Sequence, residues 1–209
     1  YDKNKEFTKS FAFRMKTDSE PKLTKNTGFY ERTSKLTRNY VDARGYWLPN
    51  DYTKHGVINE YTACREKAVV IDLSALRKFE ILGPDAEELM NYTLTRNVKK
   101  LSVGQVVYSS MCYDNGFMFD DGTLLKMSDH GFRWICGDEY AGEWLKEQAK
   151  KKNYKVRIKN SSDQISNISL QGPNSRKILE KFVWTPPTQP KISELQWFRF
   201  TICRVKELS

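Results

Sequence analysis

The run Val106-Val107-Tyr108, then Asp114-Asn115-Gly116, then Phe117-Met118-Phe119-Asp120-Asp121-Gly122 carries the reading of the fold. Two apolar runs flank Asn-Gly, the strongest short hairpin signal, because both central residues of a tight hairpin turn take positive φ. The spacing predicts two antiparallel strands joined there. An acidic pair sits just past the second strand. Adjacent side chains on an extended strand point to opposite faces, so one of Asp120 and Asp121 can face solvent while the other turns inward, where desolvation and hydrogen bonding shift a carboxyl. Asp-Gly equally suits a simple turn, and spacing alone slightly favours the turn.

Working outward, Lys78-Phe79-Glu80-Ile81 alternates like a half-buried strand, Leu82-Gly83-Pro84-Asp85 punctuates, and Ala86 to Thr93 follows with Leu89 and Met90 on the apolar side of a helix. Pro suits a helix's first turn, and Asp85 adds negative charge at its positive end. The same grammar returns 89 residues later: Ile168-Ser169-Leu170-Gln171, Gly172-Pro173-Asn174-Ser175, then Arg176 to Phe182. Such a pseudo-repeat predicts two strand–helix halves sharing one sheet, against chance pairing of two Gly-Pro dipeptides.

Val57, Tyr61, Cys64 and Ala68 recur at helical spacing over Gly56 to Lys67, and Val69-Val70-Ile71 reads as a buried strand. Phe132 to Cys136 predicts another strand. A helix capped near Asp138 follows, with Tyr140, Trp144, Leu145 and Gln148 on one side. Residues 1–28 are polar, lack a sustained period and read as an arm. The remainder, 29–209, reads as one domain of the α+β class.

The chain has 209 residues, 35 Lys and Arg against 26 Asp and Glu, a formal net charge of +9. Its aromatic content of 13% sets it apart from disordered chains. No stretch approaches the roughly 20 apolar residues that span a bilayer. The four widely spaced cysteines, Cys64, Cys112, Cys136 and Cys203, form no C-x-x-C pair, so a reduced, cytoplasmic protein without a metal site is expected. Basic residues cluster in the first 50 positions and over Lys146 to Lys159. Without a nucleic-acid signature, a solvated basic face is the simpler account. Phosphate-loop, dinucleotide, zincin and serine-hydrolase motifs are missing, and His55 and His130 lack plausible partners, so any chemistry falls to carboxylates.

Several segments in one order over roughly residues 40–205 resemble the aminomethyltransferase family, which includes the glycine cleavage T-protein and folate-dependent demethylases. They are Arg65 to Ser74, Phe79 to Ala86, Val103 to Tyr108, Asp114 to Asp121, and Ser169 to Pro173. The resemblance implies a tetrahydrofolate cleft among ferredoxin-like strand–helix units and a barrel. The second acid of the family's G-G-x-x-D-D pattern matches Asp121, which would orient the pterin and stabilise positive charge as a one-carbon unit moves to a folate nitrogen. Tyr108 matches a tyrosine beside the pterin, Trp134, Ile135 and Cys136 match a strand lining it, and Leu76 falls at an apolar pterin contact.

Departures direct the reading further. Phe117 replaces the second glycine of the pattern, and Ala75-Leu76 stands where T-proteins carry His-Met. Asp121-Gly122-Thr123-Leu124-Leu125 looks more like the O- and S-demethylases. The sequence closes at Ser209 before the family's Gly-Tyr-x-Gly-Glu-type segment, so a fragment covering about the first half of a member, without the C-terminal barrel, is expected. The resemblance implies a tetrahydrofolate-dependent methyl or aminomethyl transferase with a small methylated or amine donor. A homo-oligomer or a separate C-terminal half would be its partner, rather than a membrane or nucleic acid. The alternative is a non-catalytic folate- or RNA-binding relative.

Overall fold

A computed structural model of the chain describes residues 24–206. In chain order its elements are β1 (Lys25–Asn26), α1 (Tyr30–Thr33), β2 (Tyr40–Ala43), β3 (Tyr46–Pro49), α2 (Gly56–Glu66), β4 (Val69–Asp72), β5 (Arg77–Leu82), α3 (Ala86–Thr93) and β6 (Val106–Cys112). There follow β7 (Met118–Ser128), β8 (Gly131–Cys136), α4 (Tyr140–Lys151), β9 (Arg157–Asn160), β10 (Ile168–Gln171), α5 (Ser175–Phe182), β11 (Val183–Trp184) and β12 (Arg204–Val205). The architecture is α+β, as the sequence implies. Among the described residues two compact units are formed, one from residues 24–75 with Ser166–Ser175, the other from Leu76–Ile165 with residues 176–206.

In the first unit β1 pairs parallel with β3, and β2 pairs antiparallel with β3. Arg44 (φ 55°) and Gly45 (φ 82°) form the tight turn between β2 and β3, where Asp42 Oδ1 accepts the Gly45 N–H at 2.9 Å. β4 pairs antiparallel with β10 in a separate two-stranded sheet. The Thr27 hydroxyl donates to Asp72 Oδ2 at 2.5 Å. The arm expected over residues 1–28 falls almost wholly outside the described residues.

Two expectations fail in this unit. Val69 to Ile71 is a strand, but Val70 and Ile71 are 52% and 45% exposed, because a ladder of two strands leaves its faces largely open. Helix α2 forms where its periodicity predicts, yet it buries none of its residues.

The second unit is built on an antiparallel sheet of five strands in the order β6-β7-β8-β5-β9. Each of α3 and α4 connects two of these strands, giving the ferredoxin-like strand–helix units, and both lie on one face of the sheet. There Ala86, Leu89 and Met90 of α3 and Ala141, Leu145 and Ala149 of α4 bury against Phe79, Ile81, Met111, Leu124, Phe132 and Trp134. Burying the Leu, Ile, Phe and Met side chains among them contributes about 1.5–3 kcal/mol each. Asp85 makes no side-chain cap on α3; its Oδ2 instead accepts the Lys155 N–H at 2.6 Å, tying the corner to the approach to β9.

The repeated Gly-Pro grammar is real locally and wrong globally. Gly83 (φ 136°) and Gly172 (φ 118°) each follow a strand and precede a helix. A Cβ at either would collide with backbone, the Lys155 carbonyl oxygen at 2.4 Å and the Lys67 carbonyl oxygen at 2.7 Å. The strands before them, β5 and β10, belong to different sheets, so the expectation of one shared sheet is corrected. A tight corner specifies its own backbone and says nothing about the partner its strand will take. Among the described residues no helix is long and apolar enough to cross a membrane.

Candidate functional site

The hairpin forms where Asn-Gly predicts, by a different turn. Only Gly116 (φ 84°) is left-handed; it donates to the Tyr113 carbonyl at 2.9 Å, and Tyr113 N–H donates to the Phe117 carbonyl at 2.9 Å. This is a three-residue loop with a left-handed glycine at its end. The ladder carries a further irregularity between Met111 and Cys112.

Asp120-Asp121-Gly122 is no turn: it lies inside β7, paired with β6 through Met111–Asp120, Ser110–Asp121 and Ser109–Gly122. The glycine answers a close approach. Its Cβ would stand 2.1 Å from the Ile135 carbonyl oxygen and 3.0 Å from Trp134 Cζ2.

Strand alternation then sorts the acids. Asp120 is 7% exposed, on the side of Gly122 and Leu124 that faces the helices. Its Oδ1 accepts the N–H groups of Asp121 (2.9 Å) and Gly137 (3.2 Å), and its Oδ2 that of Asp138 (3.1 Å). Asp121 stands on the more open face, where Oδ2 accepts the Tyr108 hydroxyl. Tyr108 is 49% exposed, and its hydrogen bond to Asp121 holds the phenol above the ordinary tyrosine pKa, with burial and the two carboxylates adding to the effect.

Directly opposed residues share a face, so Tyr108, Thr123 and Ile135 make one cross-strand row beside the Ser110–Asp121 pair. Of the residues implied by the resemblance, the structure therefore brings together Asp121, Tyr108 and Ile135. Trp134 and Cys136 are withdrawn from that face. They oppose Leu124 and Gly122, are 0% and 2% exposed, and belong to the core under the helices. Consecutive residues of β8 cannot all line one surface. Leu76 is half-buried ahead of β5, and its carbonyl accepts the Lys78 ammonium at 2.8 Å. Thr123 and Ser110, missed in the sequence, share the parity and the register of Asp121 and Tyr108; strand parity alone would have selected Thr123.

Cys136 is no nucleophile here. Burial, reinforced by the Asp120 charge, pushes its thiol far above the usual range, and it donates to the Asp138 carbonyl at 3.5 Å. Among the described residues no group of three or more His, Cys, Asp or Glu side chains could hold a metal ion. What the open face offers is an anion with one oxygen held by a phenol and Oδ1 accepting no hydrogen bond from the described residues. Such a group can accept from a bound ligand and stabilise positive charge next to it.

Comparison with known proteins identifies the family. The model of the GCVT N-terminal domain matches residues 29–208. The trimethylamine-oxide aldolase of Ruegeria pomeroyi is 50% identical over 205 residues, 98% of this chain and 26% of that protein. The aminomethyltransferase of Alkaliphilus metalliredigens is 31% identical over 178 residues, 84% of this chain and 46% of that protein. The crystal structure of glycine cleavage system aminomethyltransferase T from Bartonella henselae superposes with a TM-score of 0.66 at 24% identity, over 75% of this chain and 43% of that one, a likeness of fold. The chain thus spans between a quarter and a half of the length of these relatives. With Asp114 to Asp121 and the Gly-Pro corners inside the matched span, the chain belongs to the aminomethyltransferase family, as part of its GCVT N-terminal domain.

Proposed function

We propose that this domain forms part of the tetrahydrofolate site of a one-carbon transferase acting on a small methylated amine. The observation that carries the reading is the Tyr108–Asp121 pair on the open face of the sheet, in a stretch that resembles the family's acidic pattern. The 50% identity to a trimethylamine-oxide aldolase, against 31% to an aminomethyltransferase, favours a methylated amine or amine oxide as donor over the glycine cleavage reaction.

The residues present fit the cofactor. A pterin presents ring N–H and amino donors, and Asp121 Oδ1 is an acceptor that the described residues leave open. Tetrahydrofolate, when bound, supplies a ring nitrogen that takes up the one-carbon unit. Asp121 would hold the pterin by accepting its N–H groups, and its charge would stabilise positive charge developing on the one-carbon unit. Tyr108 holds Asp121 by donating to Oδ2, and the Thr123–Ile135 row stands on the same face beside it. The net charge of +9 also suits an anionic glutamate tail.

The test uses the full-length protein. Tetrahydrofolate should bind in a calorimeter, and formation of dimethylamine from trimethylamine oxide should be followed with and without the folate. Asp121→Asn keeps the shape and removes the charge; at saturating tetrahydrofolate it should lower turnover about 100-fold or more. Turnover near wild type in that variant sinks the role of Asp121, and tetrahydrofolate binding without any turnover would favour a non-catalytic folate-binding relative.

A further inference from the structure

The sheet has a defect beside Asp121. The β7–β8 ladder ends at the rung Gly122–Cys136, so residues 120 and 121 of β7 continue past the last residue of β8 with β6 on one side only. The Asp120 carboxylate fills the gap. Its three N–H donors come from β7 itself and from Gly137 and Asp138, the corner leading into α4. Asp138 in turn accepts the Tyr140 N–H at 2.8 Å at the start of that helix. Among the described residues no cation pairs with this buried anion; three backbone N–H groups and the Cys136 thiol face it, an arrangement that depends on the charge and on both oxygens.

We propose that Asp120 is a positioning residue for Asp121. By binding the Asp121 N–H together with the Gly137 and Asp138 N–H groups, it fixes the β7 backbone where β8 no longer can, and so sets the direction in which the Asp121 carboxylate meets Tyr108 on the other face. The proposal rests on the reading of Asp121 as the functional acid, and it gives the first acid of the pair a task distinct from the second.

Asn at position 120 preserves the volume but replaces one acceptor oxygen by an N–H donor. Both Asp120 oxygens receive backbone N–H groups, so at least one of the three bonds must be lost in either orientation of the amide. The readout is the ionisation of Tyr108, whose phenol is raised first by its bond to Asp121, with burial and the charges of Asp121 and Asp120 adding. In the full-length protein, 3-fluorotyrosine incorporated at position 108 is titrated by fluorine NMR in wild type, Asp121→Asn and Asp120→Asn.

Asp121→Asn should lower the Tyr108 midpoint, and Asp120→Asn should move it most of the way to the same value at temperatures where the variant remains folded. A folded Asp120→Asn protein with a wild-type Tyr108 midpoint, whatever its melting temperature, overturns the proposal. Because Asp120→Asn also removes a charge that raises Tyr108, Asp120→Glu decides: it keeps the charge and both oxygens but moves them by one methylene, so a lowered midpoint supports the proposal and an unchanged one refutes it. Because no folate takes part in this titration, failure of the proposal stays separate from failure of tetrahydrofolate binding in the unsubstituted protein.

Discussion

Gly122→Ala should be among the most damaging single-methyl additions in the five-stranded unit. The added Cβ would lie 2.1 Å from the Ile135 carbonyl oxygen, 3.0 Å from the Ile135 carbonyl carbon and 3.0 Å from Trp134 Cζ2. Non-bonded carbon atoms settle at about 3.5–4.0 Å, so relief requires β7 and β8 to separate locally by about 1 Å. Two of the three obstacles are backbone, held by the adjacent rungs Gly122–Cys136 and Thr123–Ile135, and Trp134 is fully buried with no room to swing away. Overpacking costs about 1–3 kcal/mol where side chains can adjust. With backbone in the way we expect about 3 kcal/mol, a fall in melting temperature of about 6–12 °C for a chain of this size. Urea denaturation of the purified protein measures it. Gly116→Ala is the comparison: its φ is 84° with nothing within 4 Å, so it should cost only the left-handed backbone penalty of about 1–2 kcal/mol. A Gly122→Ala protein within about 0.5 kcal/mol of wild type would refute the close-approach argument.

Two further outcomes follow from the same strands. Cys136 should resist alkylation by iodoacetamide in the native state and react only on unfolding, while exposed Cys203 reacts at once; mass spectrometry of digested samples reads both, and rapid native labelling of Cys136 would contradict its burial. The Tyr108 phenol is held above its unfolded pKa of about 10, so its bond to Asp121 contributes stability that is fully present below that pH and is lost as pH rises through the folded value. The difference in urea midpoint between wild type and Tyr108→Phe should therefore be constant from about pH 6 to 9 and shrink above about pH 10, and a difference that grows with alkalinity would reverse the sign of the linkage.

Local features were legible in the sequence because they depend on near neighbours. Asn115-Gly116 marked the hairpin, Gly83-Pro84 and Gly172-Pro173 marked strand-to-helix corners, and Leu89, Met90 and Leu145 marked the helix faces that enter the core. Long-range pairing was not legible. Nothing in Ile168 to Gln171 shows that it pairs with Val69 to Asp72 rather than joining the larger sheet, since register and partner are set by packing faces that arise only after folding. The burial of Val70 and Ile71 was misread for that reason: an apolar run announces a strand and leaves open how many neighbours cover it. For the site, Asp121, Tyr108 and Ile135, singled out by matching motifs, share one face, whereas Trp134-Ile135-Cys136 cannot form a single lining because alternation divides them.

The same alternation explains how two adjacent carboxylates coexist. Side by side on one face, two anions would repel at short range and one would take up a proton. On opposite faces each meets a different set of donors. Asp120 receives three fixed backbone N–H groups inside the sheet–helix layer. Asp121 receives one phenol and keeps an oxygen open. Gly122 completes the device, because only a residue without a side chain lets β8 approach closely enough for the corner at Gly137 and Asp138 to reach the Asp120 oxygens. The three residues Asp-Asp-Gly thus divide the work of one strand end: the first anchors it, the second presents charge to a ligand, and the third sets the spacing on which both depend.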